Sequence, residues 1–197
     1  MKRGFWIGLC CFLLASLPMR AQFYSAGTDP GAVRWSHIRT GNYRLIYPSG
    51  ADSLARAYAL SLQEQYPRVA RSIGYAPSEF CRRPMPVILH AFTSYGNGMV
   101  MWAPRRMELY TVGDPGDPDP MPWLLNLTTH EPRHAAQLQF GRRLPYGALR
   151  WLVGDLSDVA WWAAFTGIAF SEGDAVVAET GLTPFGRART SDFLESI

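Results

Sequence analysis

The chain has 197 residues, 48% of them apolar and 18% charged, enough to bury a core and too apolar for a disordered tail. Lys plus Arg number 19 against 16 Asp plus Glu, yet Lys2, Arg3 and Arg20 lie in the first 21 residues, which hold no acid. The remainder carries 16 of each sign, a balance that excludes a nucleic-acid binder relying on a basic face.

Residues 1–21 combine a cationic head with an apolar run from Phe5 to Leu17, then Pro18 and the small Ala21. The run is too short to cross ~30 Å of hydrocarbon as an anchor, so it reads as a secretory signal cleaved after Ala21. Cys10 and Cys11 leave with it. Cys81 then stands alone, and the exported part, residues 22–197, is expected to form no internal disulfide. No later stretch approaches eighteen apolar residues, which predicts no membrane span after signal removal. The expected location is the periplasm, the outer envelope or the medium.

Polar and apolar residues alternate over 42–47, up to Pro48, which predicts a strand. Leu54, Tyr58, Leu62 and Val69 recur at helical spacing, predicting a helix over 51–73 between the Ser49-Gly50 turn and Gly74. Residues 86–91 read as a buried strand, and 99–102 with 107–112 as a hairpin or two short edge strands. The proline-rich segment 113–122 resists regular structure; Asp114, Asp117 and Asp119 fit no calcium spacing, so it reads as a stiff lead-in. Helices are predicted over 123–140, 155–165 and 172–180. Strands first and helices after give an α+β fold.

The informative pentapeptide is His130-Glu131-Pro132-Arg133-His134, which holds two of the four histidines. On a helix, positions i and i+4 share a face, so both imidazoles reach one cation. Zinc suits neutral imidazole nitrogen and keeps an open position for water, whose proton Glu131 can take and deliver to a leaving group. A third ligand is needed. His37, His90, Asp155 and Asp158 are available, and Glu172 is preferred because its helix can pack on the motif helix.

Thr129-His-Glu-x-x-His134, followed by Ser171-Glu-Gly-x-Ala175 and Glu179, resembles the gluzincin metallopeptidases, the thermolysin and aminopeptidase-N-like group. The resemblance covers about residues 99–180 and implies His130, His134 and Glu172 as Zn2+ ligands and Glu131 as the catalytic base. It also implies a zincin-like domain with a small mixed sheet, an edge strand over the site and a peptide or protein substrate. The chain is similar, too, to the peptidase-like domain ahead of TolB-type β-propellers in exported envelope proteins. No propeller repeats follow here, so the expectation is a fragment or a shortened relative.

Several residues depart from that pattern. Pro132 removes a helix bond and crowds the Thr128 carbonyl, at a cost of ~3 kcal/mol or more inside a helix. The expected remedies are a helix restart near Thr129, or a kink relieved by the Thr128 or Thr129 hydroxyls. Val176 stands where the family has a carboxylate four residues after the ligand Glu, so Asp155 or Asp158 is expected to support the histidines instead. Tyr146, Arg150 and Tyr110 are candidates to stabilise an oxyanion.

Other features read as structural. Trp151, Trp161 and Trp162 are expected in the core, residues 94–98 as a turn rather than an anion cradle, and His90 as a satisfied structural histidine. Asn126, although in a glycosylation pattern, falls on the motif helix. The leading expectation is an exported zinc peptidase. The alternative is a catalytically impaired envelope module that binds peptide or a partner domain, and a third reading is a metal-assisted hydrolase of esters.

Overall fold

The structure, a computed structural model, describes residues 29–81, 83–113, 116, 121–140 and 147–190. The expected signal, Asp114, Asp117, Asp119 and Tyr146 lie outside them. Five strands form one mixed sheet: β1 (Trp35–Arg39), β2 (Tyr43–Pro48), β3 (Met85–His90), β4 (Gly98–Trp102) and β5 (Arg105–Tyr110), in the order β1-β2-β3-β5-β4. β2, β3 and β5 run parallel, while β1 and β4 pair antiparallel to β2 and β5 at the two edges.

Side-chain alternation explains why the sheet has one helical face. Tyr43, Leu45 and Tyr47, Met85, Val87 and Leu89, and Met107 and Leu109 are buried in a single core cluster. The long helix α1 (Asp52–Ser72) crosses from β2 to β3 and lays Tyr58, Leu62, Tyr66 and Val69 on that face. It ends at Gly74, whose φ of 76° is the left-handed conformation that glycine adopts freely. Tyr47 donates to Asp52 Oδ1 at 2.9 Å, tying the strand end to the first turn of the helix.

The motif helix α2 (Trp123–Phe140) packs between α1, β4 and the later helices, and is buried over nearly its whole circumference. It runs unbroken through Pro132. There is no restart, and the Thr128 and Thr129 hydroxyls bond the Leu124 and Leu125 carbonyls, not the freed Thr128 carbonyl. Packing holds the helix, with Thr128 also 2.6 Å from Ser61 of α1. α1 tolerates Pro67 in the same way.

The helical half continues as α3 (Gly147–Val153), α4 (Leu156–Phe165) and α5 (Gly167–Leu182), with a 3-10 turn at Arg187–Arg189. β1, α3 and the first turn of α5 carry no sequence signal strong enough to predict. Of the three tryptophans expected in the core, Trp162 packs against it, partly buried, and Trp151 does not. Trp151 is 88% exposed, while Trp161 and Trp162 are half-buried, because this segment has one packed face and little above it. Asp158 links the halves: its Oδ2 accepts the Trp102 indole N–H at 2.9 Å and its Oδ1 accepts from Arg150 at 3.0 Å. No described helix is long and apolar enough to cross a membrane.

Candidate metal centre

His130, His134 and Glu172 form a group that can hold a metal ion. The histidines come from consecutive turns of α2, and Pro132 between them does not splay them: their ring centroids are 4.6 Å apart. Glu172 comes from the second turn of α5, rather than opening the helix as expected. His130 is buried, His134 half-buried and Glu172 exposed, so the group faces outward on the carboxylate side. His130 Nε2 lies 2.9 Å from His134 Nε2 and 3.3 Å from Glu172 Oε2, and His134 Nε2 lies 3.4 Å from Glu172 Oε1. A tetrahedral cation with ligands at ~2.0–2.1 Å separates them by about 3.3 Å, so the three donors outline one face of such a site.

The hydrogen bonds behind the imidazoles fix which nitrogens point inward. Gln137 donates through Nε2 to Asp174 Oδ2 at 2.6 Å and to the Ser171 carbonyl at 2.9 Å, which leaves its Oε1 to accept from His134 Nδ1 at 3.0 Å. Asp174 is held in turn by Arg133, whose Nε donates to Oδ2 and Nη2 to Oδ1, each at 2.7 Å. Glu179 Oε1 bonds His130 Nδ1. Both Nδ1 atoms therefore carry hydrogen, and both Nε2 lone pairs converge. Two lone pairs so close repel unless a proton or a cation lies between them.

Charge points the same way. Among the described residues around the site, the carboxylates of Glu131, Glu172 and Glu179 outnumber the guanidinium of Arg187, an excess of acid that a divalent cation would offset. Burial works against charge on His130, but Glu172, Glu179 and Glu131 outweigh it and raise the group to about 9 in the cation-free protein. Hydrogen bonds from both histidines hold Glu172 well below the usual carboxylate range. A proton on His130 competes with metal. Apparent metal affinity is therefore expected to rise up to about tenfold per pH unit toward pH 9 and then flatten, as read by chelator competition across pH.

Glu131 sits beside this group without pairing to it. It is 4% exposed, and its Oε2 has no hydrogen-bond partner among the described residues. Burial raises its pKa, only partly offset by His130 and His134. Its side chain lies directly under Gly98, where a Cβ would come within 2.7 Å of Glu131 Cδ and 2.8 Å of Cγ. Gly98 opens the edge strand β4, so the carboxylate occupies space that only a missing side chain leaves free. The turn expected over 94–98 does not form: the segment is irregular up to Asn97, whose Oδ1 accepts from the Gly98 N–H at 2.9 Å as the strand begins.

A cleft of about 700 Å³ runs over the site, walled by β4 on one side and by Trp123, Leu127, Leu156, Val159, Trp162 and Ile168 on the other. The other ligand candidates lie elsewhere. His37 is exposed on β1 at the far edge, and His90 is the structural histidine expected, bonded to Asp29 at 2.5 Å with Glu108 at 3.3 Å. Asp155 and Asp158 pair with Arg150 instead of supporting the histidines. Glu179 does that work, two turns after Glu172 and so on the same face of α5. Tyr110 stacks on His90, outside the cleft, and Arg150 is taken by the two aspartates, so neither serves an oxyanion.

Three further residues had no motif to reveal them: Gly98, Arg187 and Asp174. The seven-residue spacing of Glu172 and Glu179 was the one available signal for the carboxylate behind His130. No protein-family model, curated protein or solved structure matches the chain.

Proposed function

We propose that this chain is an exported zinc-dependent peptidase of gluzincin type, with His130, His134 and Glu172 as the zinc ligands and Glu131 as general base and acid. The observation that carries the reading is the pairing of three convergent donors with a buried carboxylate whose Oε2 is unpartnered and which lines the same cleft. Two imidazoles and one carboxylate are a donor set suited to catalytic zinc. Zinc held there supplies Lewis acidity, activating water and polarising a carbonyl.

The chain's own residues do the rest. Glu131 accepts the proton of the attacking water and returns it to the leaving amine, a task suited to a carboxylate whose affinity for protons is raised by burial. Glu179 and Gln137 keep the ligand imidazoles oriented. β4, with one edge unpaired among the described strands, offers backbone groups to an extended peptide running along the cleft.

Metal analysis of the purified protein tests the reading. One zinc per chain is expected in the parent, and almost none in His134→Ala, where one of the three donors is gone. Zinc binding without hydrolysis of any peptide library would favour the non-catalytic peptide-binding module, and turnover of esters alone would redirect the substrate class. A parent protein that takes up no zinc would remove the basis of the proposal.

A further inference from the structure

The segment after α5 folds back onto the site. Thr183 leaves the helix in extended conformation while its hydroxyl bonds the Glu179 carbonyl at 2.8 Å, and Phe185 N–H bonds that hydroxyl at 3.3 Å. Gly186 then lies against the backbone of Thr180, where any Cβ would overlap the Thr180 Cα and N atoms. Backbone on backbone leaves no flexible group to yield, so the return path requires glycine here. The 3-10 turn that follows is anchored by Arg189, which donates to the Thr180 carbonyl at 2.7 Å.

This path delivers Arg187 to Glu179. Its Nε donates to Oε2 at 2.9 Å and its Nη2 to Oε1 at 2.7 Å, a fork that fixes the plane of the carboxylate. Glu179 is fully buried, and Oε1, held from one side by Arg187, meets His130 Nδ1 on the other. A carboxylate bonded only to an imidazole would be free to rotate about its terminal torsion. With the fork in place it has a single orientation.

We propose that Arg187 is a positioning residue of the metal centre, aiming Glu179 so that His130 keeps its proton on Nδ1 and presents Nε2 to the cation. The proposal rests on the reading that His130, His134 and Glu172 hold a metal. Arg187 is not one of the three donors, although it lines the cleft and its Nη2 lies 3.5 Å from His130 Nδ1. It acts through two intervening side chains, and Gly186 is what lets it arrive.

The test uses the purified full chain with zinc and, separately, Co2+, whose absorption spectrum reports ligand geometry. Arg187→Met is expected to weaken zinc 10–100-fold by chelator competition, the usual effect of losing an outer partner, and to alter the Co2+ spectrum. Arg187→Lys restores the charge without the fork and is expected to recover part of the affinity. Arg187→Met leaves Glu179 as a buried, poorly balanced charge. If that variant does not fold, Arg187→Lys carries the test, with affinity still below the parent's and an altered Co2+ spectrum expected. Variants that fold, bind zinc within twofold of the parent and keep its Co2+ spectrum would reduce Arg187 to packing and overturn the proposal. A parent chain that binds neither metal would overturn it together with the reading beneath it.

Discussion

Glu131→Gln is expected to bind zinc as tightly as the parent while kcat falls about 10²–10⁴-fold, the range over which positioned proton transfer contributes. The two effects separate because Glu131 is not among the converging donors, while it lines the cleft with an Oε2 that is buried without a partner among the described residues. Glutamine has the same shape but cannot take the proton. It also removes a buried, unpaired charge, so the variant is expected to unfold at the same temperature or a higher one. Metal content, kcat on a cleaved peptide and thermal unfolding together check the prediction. Undiminished turnover in Glu131→Gln would show that another group is the base.

The second large effect is expected at a position with no side chain. Gly98→Ala places a methyl group against Glu131 Oε1 and within 2.7–2.8 Å of its Cδ and Cγ. The strand cannot easily retreat, because Gly98 is registered against Leu109 in the ladder between β4 and β5. Glu131 must move instead, and misplacing a reacting group by about 1 Å can cost ~10²-fold in rate. Overpacking adds a stability cost of about 1–3 kcal/mol. Zinc affinity is expected to stay near the parent value, since the ligands lie on α2 and α5. Kinetics beside zinc titration distinguishes this from general unfolding: unchanged kcat with a lowered melting temperature would mean that Glu131 is indifferent to the strand above it.

Much of the fold was legible in the sequence, for identifiable reasons. Alternation over 42–47 and 86–91 and helical spacing over 51–73 come from elements with one buried face, where period and burial coincide. Gly74 and Pro48 marked ends because backbone conformation is set locally. β1 escaped notice because as an edge strand it alternates exposed and half-buried positions, so Trp35-Ser-His-Ile-Arg39 has no clean pattern. The motif helix was placed by Leu124, Leu127, His134 and Leu138 on one side and by Gly141 and Pro145 after it. It is buried over most of its surface, and Thr128, His130, Arg133, Gln137 and Gln139 find partners on neighbouring elements.

At the site, the residues with chemistry were readable and those that place them were not. His130, Glu131, His134 and Glu172 carry a spacing that one helix face or one metal imposes. Gly98, Asp174 and Arg187 act across contacts that exist only after folding, and nothing near them in the chain announces it. Pro132 misled in the opposite direction. A local penalty of ~3 kcal/mol is decisive for an isolated helix but is outweighed when the helix is enclosed by α1, β4 and α5.

The uneven burial of the three metal donors bears on how such a centre would erode. Glu172 keeps 54% of its side chain in solvent, whereas His130 is enclosed and bonded to Glu179. Exchanging the former disturbs little packing; exchanging the latter empties an interior position. A lineage released from selection for turnover would therefore shed residue 172 long before residue 130.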